Sequence, residues 1–184
     1  ADDSNQELLG AADASQALAR MFGTFPKHRR VQEDGCRAVA SLAVNSDVNR
    51  RLLHDAGVNE YIVLAMHAHA GSASLQAAGA SAICTLVHKA PANIERVVRA
   101  GGIEAVAAAI KKHAGSALVC QQCVTACRRL VAAGASSASA SASDSGSSIA
   151  KIWSSGLVGL VIKAMRDHDT VGNVQLQGAA CVVK

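Results

Sequence analysis

The chain has 184 residues and half of them are apolar, so it can bury a sizeable core and is not a disordered tail. Aromatic residues make up only 2% while alanine is abundant, which favours helices that approach one another through small side chains. The net charge of +4, from 18 Lys and Arg against 14 Asp and Glu, is too small to indicate a nucleic-acid-binding protein.

The sequence contains neither a recognisable membrane span nor a secretion signal. No apolar run reaches the ~18 to 20 residues that cross a bilayer, and the N-terminus, Ala1-Asp2-Asp3, lacks the regions of a signal peptide. The six cysteines fall inside apolar helical patterns, which predicts reduced, buried thiols. We therefore expect a soluble cytoplasmic protein, with the nucleus as an alternative. The missing initiator Met and the apolar pattern that runs to Lys184 indicate a piece of a longer chain.

A six-residue pattern recurs along the chain at a regular spacing. It reads Val-Gln-Glu-Asp-Gly-Cys from Val31, Leu-Gln-Ala-Ala-Gly-Ala from Leu75 and Val-Gln-Leu-Gln-Gly-Ala from Val174, with a weaker copy from Val119. The successive spacings are 44, 44 and 55 residues, so the last interval holds 11 extra residues. Two other landmarks follow the same register: Gly57, Gly101 and Gly156, and also His69, His113 and His168. A fixed period of this length identifies a repeat protein.

Each complete unit is predicted to contain three helices. Asp47 is expected to cap a short first helix that Gly57 ends, and Asn93 and Gly101 have the same predicted roles in the next unit. The predicted ranges are Leu8 to Phe22 for the end of a preceding unit, Val48 to Asp55 and Ile94 to Arg99 for first helices, Tyr61 to Ala70 and Ile103 to His113 for second helices, and Val31 to Leu42, Leu75 to Val87 and Val119 to Leu130 for the long third helices.

The register predicts a single repeat array over 1–184. Residues 1–30 end a preceding repeat, 31–74, 75–118 and 119–173 are repeats, and 174–184 begin a further one. Residues 135–148 alternate Ala and Ser, with too little apolar bulk to offset the entropy of ordering, and are predicted to be a disordered insertion loop. Tolerated loop drift is the favoured explanation, and regulatory phosphorylation of the many hydroxyls is the alternative.

A three-helix unit of about 40 to 47 residues resembles the armadillo repeat, and the resemblance extends from about Val31 to the end of the chain. It implies an all-α fold, a right-handed α-solenoid in which armadillo-like repeats of about 44 residues form a superhelix. Units that read Ala-Met and then Val-Gln, with a polar insertion after one third helix, resemble the N-terminal armadillo regions of leucine-rich-repeat kinases. Some armadillo-only proteins share these features.

The resemblance implies that a partner peptide or domain binds along a concave groove lined by the third helices. Armadillo proteins that bind nuclear-import signals carry a Trp and, four positions later, an Asn in each third helix. Here those positions hold Arg37 and Ser41, so an import receptor is not expected. The candidate partner-binding residues are Glu33, Arg37, Ser41, Asn45, Ser81, Thr85, Lys89, Gln121, Thr125 and Arg129. An ordinary solvated helix face is the competing interpretation.

The residue types that carry chemistry are better explained by packing. Cys120, Cys123 and Cys127 lie on one stripe of a helix, but structural zinc takes four ligands and only a distant Cys or His113 could complete the set. We predict packing, with no metal and no cofactor. The three recurring histidines are predicted to fill one structural position, hydrogen-bonded to a helix terminus, because an enzyme needs a catalytic residue only once.

No phosphate loop, His-Glu-x-x-His helix or nucleophile elbow is present, so we predict that the chain is not an enzyme. Trp153 is assigned to packing and Lys27 to Arg30 to solvated loop charge. Three functions remain: a protein-interaction scaffold, an architectural or regulatory segment of a larger protein such as a kinase, and a basic surface for nucleic acid or acidic lipid. Weak charge and scarce aromatics disfavour the third. Exposed end repeats are expected to promote self-association.

Overall fold

The computed structural model describes residues 13–136 and 156–182, and within these ranges it contains ten α-helices and no β-strand. The helices are α1 (Ala14–Thr24), α2 (Arg29–Ala43), α3 (Asp47–Asp55), α4 (Val58–Ala68), α5 (Ala73–Leu86), α6 (Pro91–Arg99), α7 (Gly102–Lys112), α8 (Ala117–Ser136), α9 (Leu157–Asp167) and α10 (Gly172–Val182). The predicted all-α solenoid is confirmed.

The helices repeat in groups of three. Helices α3, α4 and α5 have 9, 11 and 14 residues, and α6, α7 and α8 have 9, 11 and 20. By the same register α1 and α2 are the second and third helices of one unit, and α9 and α10 are those of another. The predicted insertion loop at 135–148 lies outside the described residues, apart from its first two positions, which end α8.

A glycine with a left-handed backbone immediately precedes the second helix of three units. Gly57, Gly101 and Gly156 adopt φ angles of 76°, 87° and 68° immediately before α4, α7 and α9. A side chain at these left-handed positions would strain the backbone by roughly 1 kcal/mol or more. The recurring glycine landmark is therefore set by backbone geometry.

The predicted helix caps at Asp47 and Asn93 are wrong. Ser46 caps α3, and its side-chain oxygen accepts a hydrogen bond from the Asn49 backbone N–H. Helix α6 begins at Pro91, because proline has no N–H to lose and its fixed φ suits the first helical position. Asn93 thus lies inside α6, where it is buried.

The core lies between the stacked units and closes through small side chains, as the composition predicts. The third helices α2, α5, α8 and α10 pack side by side in that order. Helix α5 is the most enclosed, and Ala77, Ala78, Ala80 and Ala82 are all buried in it. These alanines allow the neighbouring third helices to approach closely.

A glutamine near the start of three third helices binds the end of the second helix before it; Gln32 and Gln76 are buried and Gln175 is half-buried. Each side-chain amide nitrogen donates to two backbone carbonyl groups: Gln32 to those of Phe22 and Phe25 at 3.1 and 2.9 Å, Gln76 to those of Met66 and His69 at 2.8 and 3.2 Å, and Gln175 to those of Met165 and His168 at 2.6 and 3.1 Å. The contacts to Phe22, Met66 and Met165 satisfy carbonyl groups in the last helical turn, which have no partner within their own helix. The carbonyl groups of Phe25, His69 and His168 also accept a backbone N–H from the following turn.

The equivalent position in α8 holds Cys120, whose sulfur lies 3.9 and 3.6 Å from the carbonyl oxygens of His113 and Ala114. A thiol is a weak donor. A cavity of about 100 Å³ adjoins the sulfur and is lined also by Ile110, Ala114 and Leu160. The unit formed by α6, α7 and α8, here called the third unit, therefore lacks one of the polar contacts between its second and third helices and leaves room where the glutamine side chain would lie.

We expect Cys120→Gln to raise the free energy of unfolding by about 1 kcal/mol, because it adds hydrogen bonds to carbonyl groups at the end of α7. Urea denaturation followed by far-ultraviolet circular dichroism measures the change. Cys120→Met is the matched control, since it fills similar volume without a donor. A loss of stability with Gln, or an equal gain with Met, would contradict the hydrogen-bond explanation.

The recurring histidines form contacts between neighbouring units. Nε2 of His69, His113 and His168 lies 2.9, 2.9 and 2.7 Å from the backbone oxygens of Pro26, Ala70 and Ala114, respectively. Each of these oxygens belongs to the turn after the equivalent helix of the preceding unit. Because a carbonyl oxygen only accepts, Nε2 carries the proton in every case. The predicted structural role of the three histidines is confirmed.

Candidate protein-interaction surface

The predicted partner-binding residues lie on one face of consecutive third helices, which we call the third-helix face. Arg37 and Ser41 are four positions apart in α2, and α5 and α8 repeat this spacing, which puts each set on one side of its helix. Asn45 and Lys89 lie beyond the ends of α2 and α5, in the turns that follow. Their units are in register and the helices are adjacent. Arg37, Ser41, Asn45 and Lys89 are exposed, Ser81, Thr85, Gln121, Thr125 and Arg129 are half-buried, and Glu33 is buried.

Glu33 supports the third-helix face from beneath. Its side chain is only 8% exposed. One carboxylate oxygen accepts hydrogen bonds from Arg29 at 3.1 Å and from the Ser74 hydroxyl at 2.7 Å, and the other binds Arg37 at 2.7 Å. Glu33 therefore fixes the exposed Arg37 guanidinium and joins α2 to α5. Burial, with a smaller contribution from the Glu33 charge, raises the pKa of the neighbouring Cys36 thiol to about 12.

The threonines of the face are bonded to their own helices. The Thr85 hydroxyl donates to the carbonyl groups of Ala82 at 2.9 Å and Ser81 at 3.3 Å. The Thr125 hydroxyl lies 2.7 Å from the Gln121 carbonyl oxygen. Their hydroxyl protons are engaged in these bonds, so each oxygen can offer a ligand only an acceptor. The middle of the face is neutral and polar.

Cations gather where α2 and α5 end. An N–H of Arg129 in α8 donates to Nδ1 of His88, the second residue after α5. Lys89 follows at a left-handed φ of 52°. Arg50 in α3 binds the Ala43 carbonyl oxygen at 2.5 Å and also pairs with Asp47. We call Arg50, His88, Lys89, Arg128 and Arg129 the basic end of the third-helix face.

His88 lies among more cations than anions at the basic end. Burial lowers the pKa of His88, and the charges of Arg129, Arg50 and Lys89 lower it further, whereas Asp47 alone opposes them. A neutral imidazole can accept the Arg129 hydrogen bond at Nδ1. The Nε atoms of Arg128 and Arg129 are buried and have no hydrogen-bond partner within the described part of the chain.

Sequence reasoning found Lys89 and Arg129 but missed His88, Arg50 and Arg128. The missed residues lie one position outside the helical pattern of the face or on another helix, so no single-helix spacing links them to it. The adjacent pairs His88-Lys89 and Arg128-Arg129 were visible signals in a chain of low net charge.

The remaining candidate residues, those for metal binding and for surface charge, lie away from the basic end or in the core. All six cysteines are buried with unpaired thiols, and burial raises the pKa of Cys123 and Cys127 in the core of α8. No group of three or more His, Cys, Asp or Glu side chains in the described ranges could hold a metal ion. Near Lys27, Arg29 and Arg30 pair with Glu33 and Asp34 in their own helix. Trp153 lies outside the described residues.

None of the helices within 13–136 and 156–182 is long and apolar enough to cross a membrane. A family model described as LRRK2 ARM repeat matches residues 2–183, which is nearly the whole chain. No curated protein and no solved structure matches the chain.

Proposed function

Since this chain belongs to the LRRK2-type armadillo (ARM) repeat family, we propose that it is a cytoplasmic scaffold that binds a partner peptide or domain along a concave groove lined by its third helices. The observation that carries the proposal is the row of polar side chains in register on α2, α5 and α8, helices whose other sides are buried. The proposal gives the segment no catalytic role.

The arrangement of the face supports a binding role in two ways. Arg37 is 61% exposed, yet Glu33 holds its guanidinium, so little side-chain entropy is lost when a ligand binds it. Helices α2, α5, α8 and α10 are contiguous, so an extended ligand could contact several units in succession. A purely solvated face requires neither feature.

Site-specific photo-crosslinking tests the proposal. A photoreactive amino acid is placed at Ser41 or Ser81 on the face and, as a matched control, at Ala108 or Lys112, which are exposed on α7. The full-length protein is expressed in cells and crosslinked partners are identified by mass spectrometry. We expect a partner that crosslinks from the face and not from α7.

The partner must then be lost when the face is changed. The triple variant Arg37→Glu, Thr85→Glu and Arg129→Glu is compared with Lys111→Glu, Lys112→Glu and Ala108→Glu, which alters the formal charge by the same amount on α7. Circular dichroism first establishes equal helicity. Retention of the partner by the face variant, or equal crosslinking from both surfaces, would favour the alternative of an architectural segment in a larger protein.

A further inference from the structure

We infer that the basic end of the third-helix face is a binding site for an acidic peptide segment of a partner, with a phosphorylated or carboxylate side chain seated between Lys89 and Arg129. The inference rests on the proposed groove function and adds the chemical class of the ligand.

The charges at this place are not balanced within the described structure. Arg50, Arg51, Lys89 and His88 lie within electrostatic range of one another and of Asp47, whose pKa is lowered chiefly by its hydrogen bond and charge contact with Arg50. Arg128 and Arg129 extend the same group of cations. Burial raises the pKa of the Cys84 thiol, and the charges of both arginines oppose this rise. A single carboxylate, 73% exposed, therefore faces a group of cations.

Arg129 differs from the other arginines that contact a side chain in the described ranges. Arg29, Arg30, Arg37, Arg50, Arg96 and Arg99 each pair with a carboxylate. Arg129 instead donates to the neutral imidazole of His88 and hydrogen-bonds the Cys84 thiol, and its Nε is buried without a recorded partner among the described residues. A guanidinium binds the two oxygens of a carboxylate or phosphate more strongly than a neutral acceptor. An incoming anion can therefore replace the imidazole.

The surroundings favour a peptide over a nucleic acid or a lipid surface. The face next to Arg129 is neutral and polar, with Ser81, Thr85 and Thr125, so the positive charge is local and not spread as a long basic stripe. Aromatic residues that would stack on bases make up only 2% of the chain. One anionic side chain on an otherwise neutral, extended segment matches this pattern.

The equivalent residues in neighbouring units supply a control that should not disturb the fold. Asn45 occupies in the preceding unit the position of Lys89, and both residues have a left-handed φ, 56° and 52°. Lys89→Asn therefore removes the charge with a residue that the same backbone turn already accepts. Arg129→Gln removes the second cation, and Arg166→Gln on α9 is a matched change of an exposed arginine away from the face.

Binding of an anion is expected to raise the pKa of His88, because a negative charge beside Arg129 offsets the cations that lower it. The charged groups that face His88 are Arg129 from α8, Arg50 and Asp47 from α3, and Lys89 beside it. A bound-state pKa above the free-state value means that binding takes up a proton. Affinity should therefore rise as the pH falls through the bound-state pKa of His88.

The probes are degenerate nonapeptide pools with phosphoserine, aspartate or serine at the centre, and inorganic phosphate alone. The protein is titrated with each probe, and NMR follows the imidazole signals of its seven histidines, with His88→Gln identifying the His88 signal. We expect the phosphoserine pool to bind at least tenfold more tightly than the serine pool and to raise the pKa of His88. Lys89→Asn and Arg129→Gln should abolish this preference, whereas Arg166→Gln should retain it.

Stronger binding of the aspartate pool than of the serine pool would support a carboxylate as the seated group. Binding of inorganic phosphate without any preference among the peptide pools would overturn the inference, as would a preference that survives Lys89→Asn and Arg129→Gln. If the partner crosslinked from Ser41 or Ser81 is lost in the triple variant but kept by Lys89→Asn and Arg129→Gln, the scaffold proposal stands and the acidic-peptide inference fails.

Discussion

Replacing Asn93 by alanine is expected to lower the free energy of unfolding by about 2–4 kcal/mol, because it leaves several buried polar groups without partners. Asn93 is 2% exposed. Its amide nitrogen donates to the carbonyl groups of Leu86 at 2.9 Å and Arg50 at 3.3 Å, and its oxygen accepts from the Asn59 amide at 3.0 Å. One side chain thus joins α3, α4, α5 and α6.

Urea denaturation measured by circular dichroism gives the size of the effect. Asn173→Ala is the control, since Asn173 is exposed in α10 and its side chain accepts a long hydrogen bond, 3.4 Å, from the Gln177 amide nitrogen. We expect that change to remain within about 0.5 kcal/mol. Comparable losses in the two variants would show that the buried network does not stabilise the junction between units.

The error over Asn93 shows what the sequence could and could not predict. Asn49 and Asn93 are 44 positions apart, and both donate to the last turn of a preceding third helix, at the carbonyls of Leu42 and Leu86. The repeat was therefore visible in the sequence, but Asn near a helix start has two possible uses, a cap or an inward bond. Only the positions of Ser46 and Pro91 decide between them.

The repeat register predicted several features that recur at one position of each unit. The left-handed Gly57 and Gly101, the bonding of His69 and the burial of the thiols belong to this class. Which side chains pair with each other across two units was not predictable. Glu33 was placed on the surface by helical spacing, yet Ser74 of the next unit covers it.

The contact of Arg129 with His88 also joins two units. Helical spacing fixes which way a Cα–Cβ bond points, but it does not determine which side chain of the neighbouring helix lies opposite. For this reason the third-helix face could be assigned from the sequence, whereas the basic end could not.

Gly79 and Met66 form a packing pair for which the third unit offers a natural replacement. A Cβ atom at Gly79 would lie 2.6 Å from Met66 Cγ and 2.8 Å from its Sδ. Gly178 meets Met165 in the same way, at 2.6 Å from Cγ. In the unit between them the equivalent residues are Ile110 and Cys123, both buried.

We expect Gly79→Ala to lower the free energy of unfolding by about 1–3 kcal/mol, because the methyl group overpacks a core in which α4 and α5 already touch. The same substitution at Gly159, exposed in α9 with no atom within 4 Å of the added Cβ, should instead stabilise by about 0.5–1 kcal/mol through helix propensity. Because the two variants should change the free energy of unfolding in opposite directions, the comparison separates core packing from helix propensity. Urea denaturation measures both changes.

A double-mutant cycle tests whether Met66 is the cause of the loss. Met66→Ile copies the residue of the third unit, and alone it should destabilise by less than about 1.5 kcal/mol, since the volume is nearly conserved. Combined with Gly79→Ala it should remove the clash, so the double variant should lose about 1 kcal/mol less than the sum of the single variants. Strict additivity would mean that the methyl group at position 79 is resisted by the backbones of α4 and α5 and not by the Met66 side chain. In that case the Ile110 and Cys123 pair would require a wider spacing of helices in its own unit.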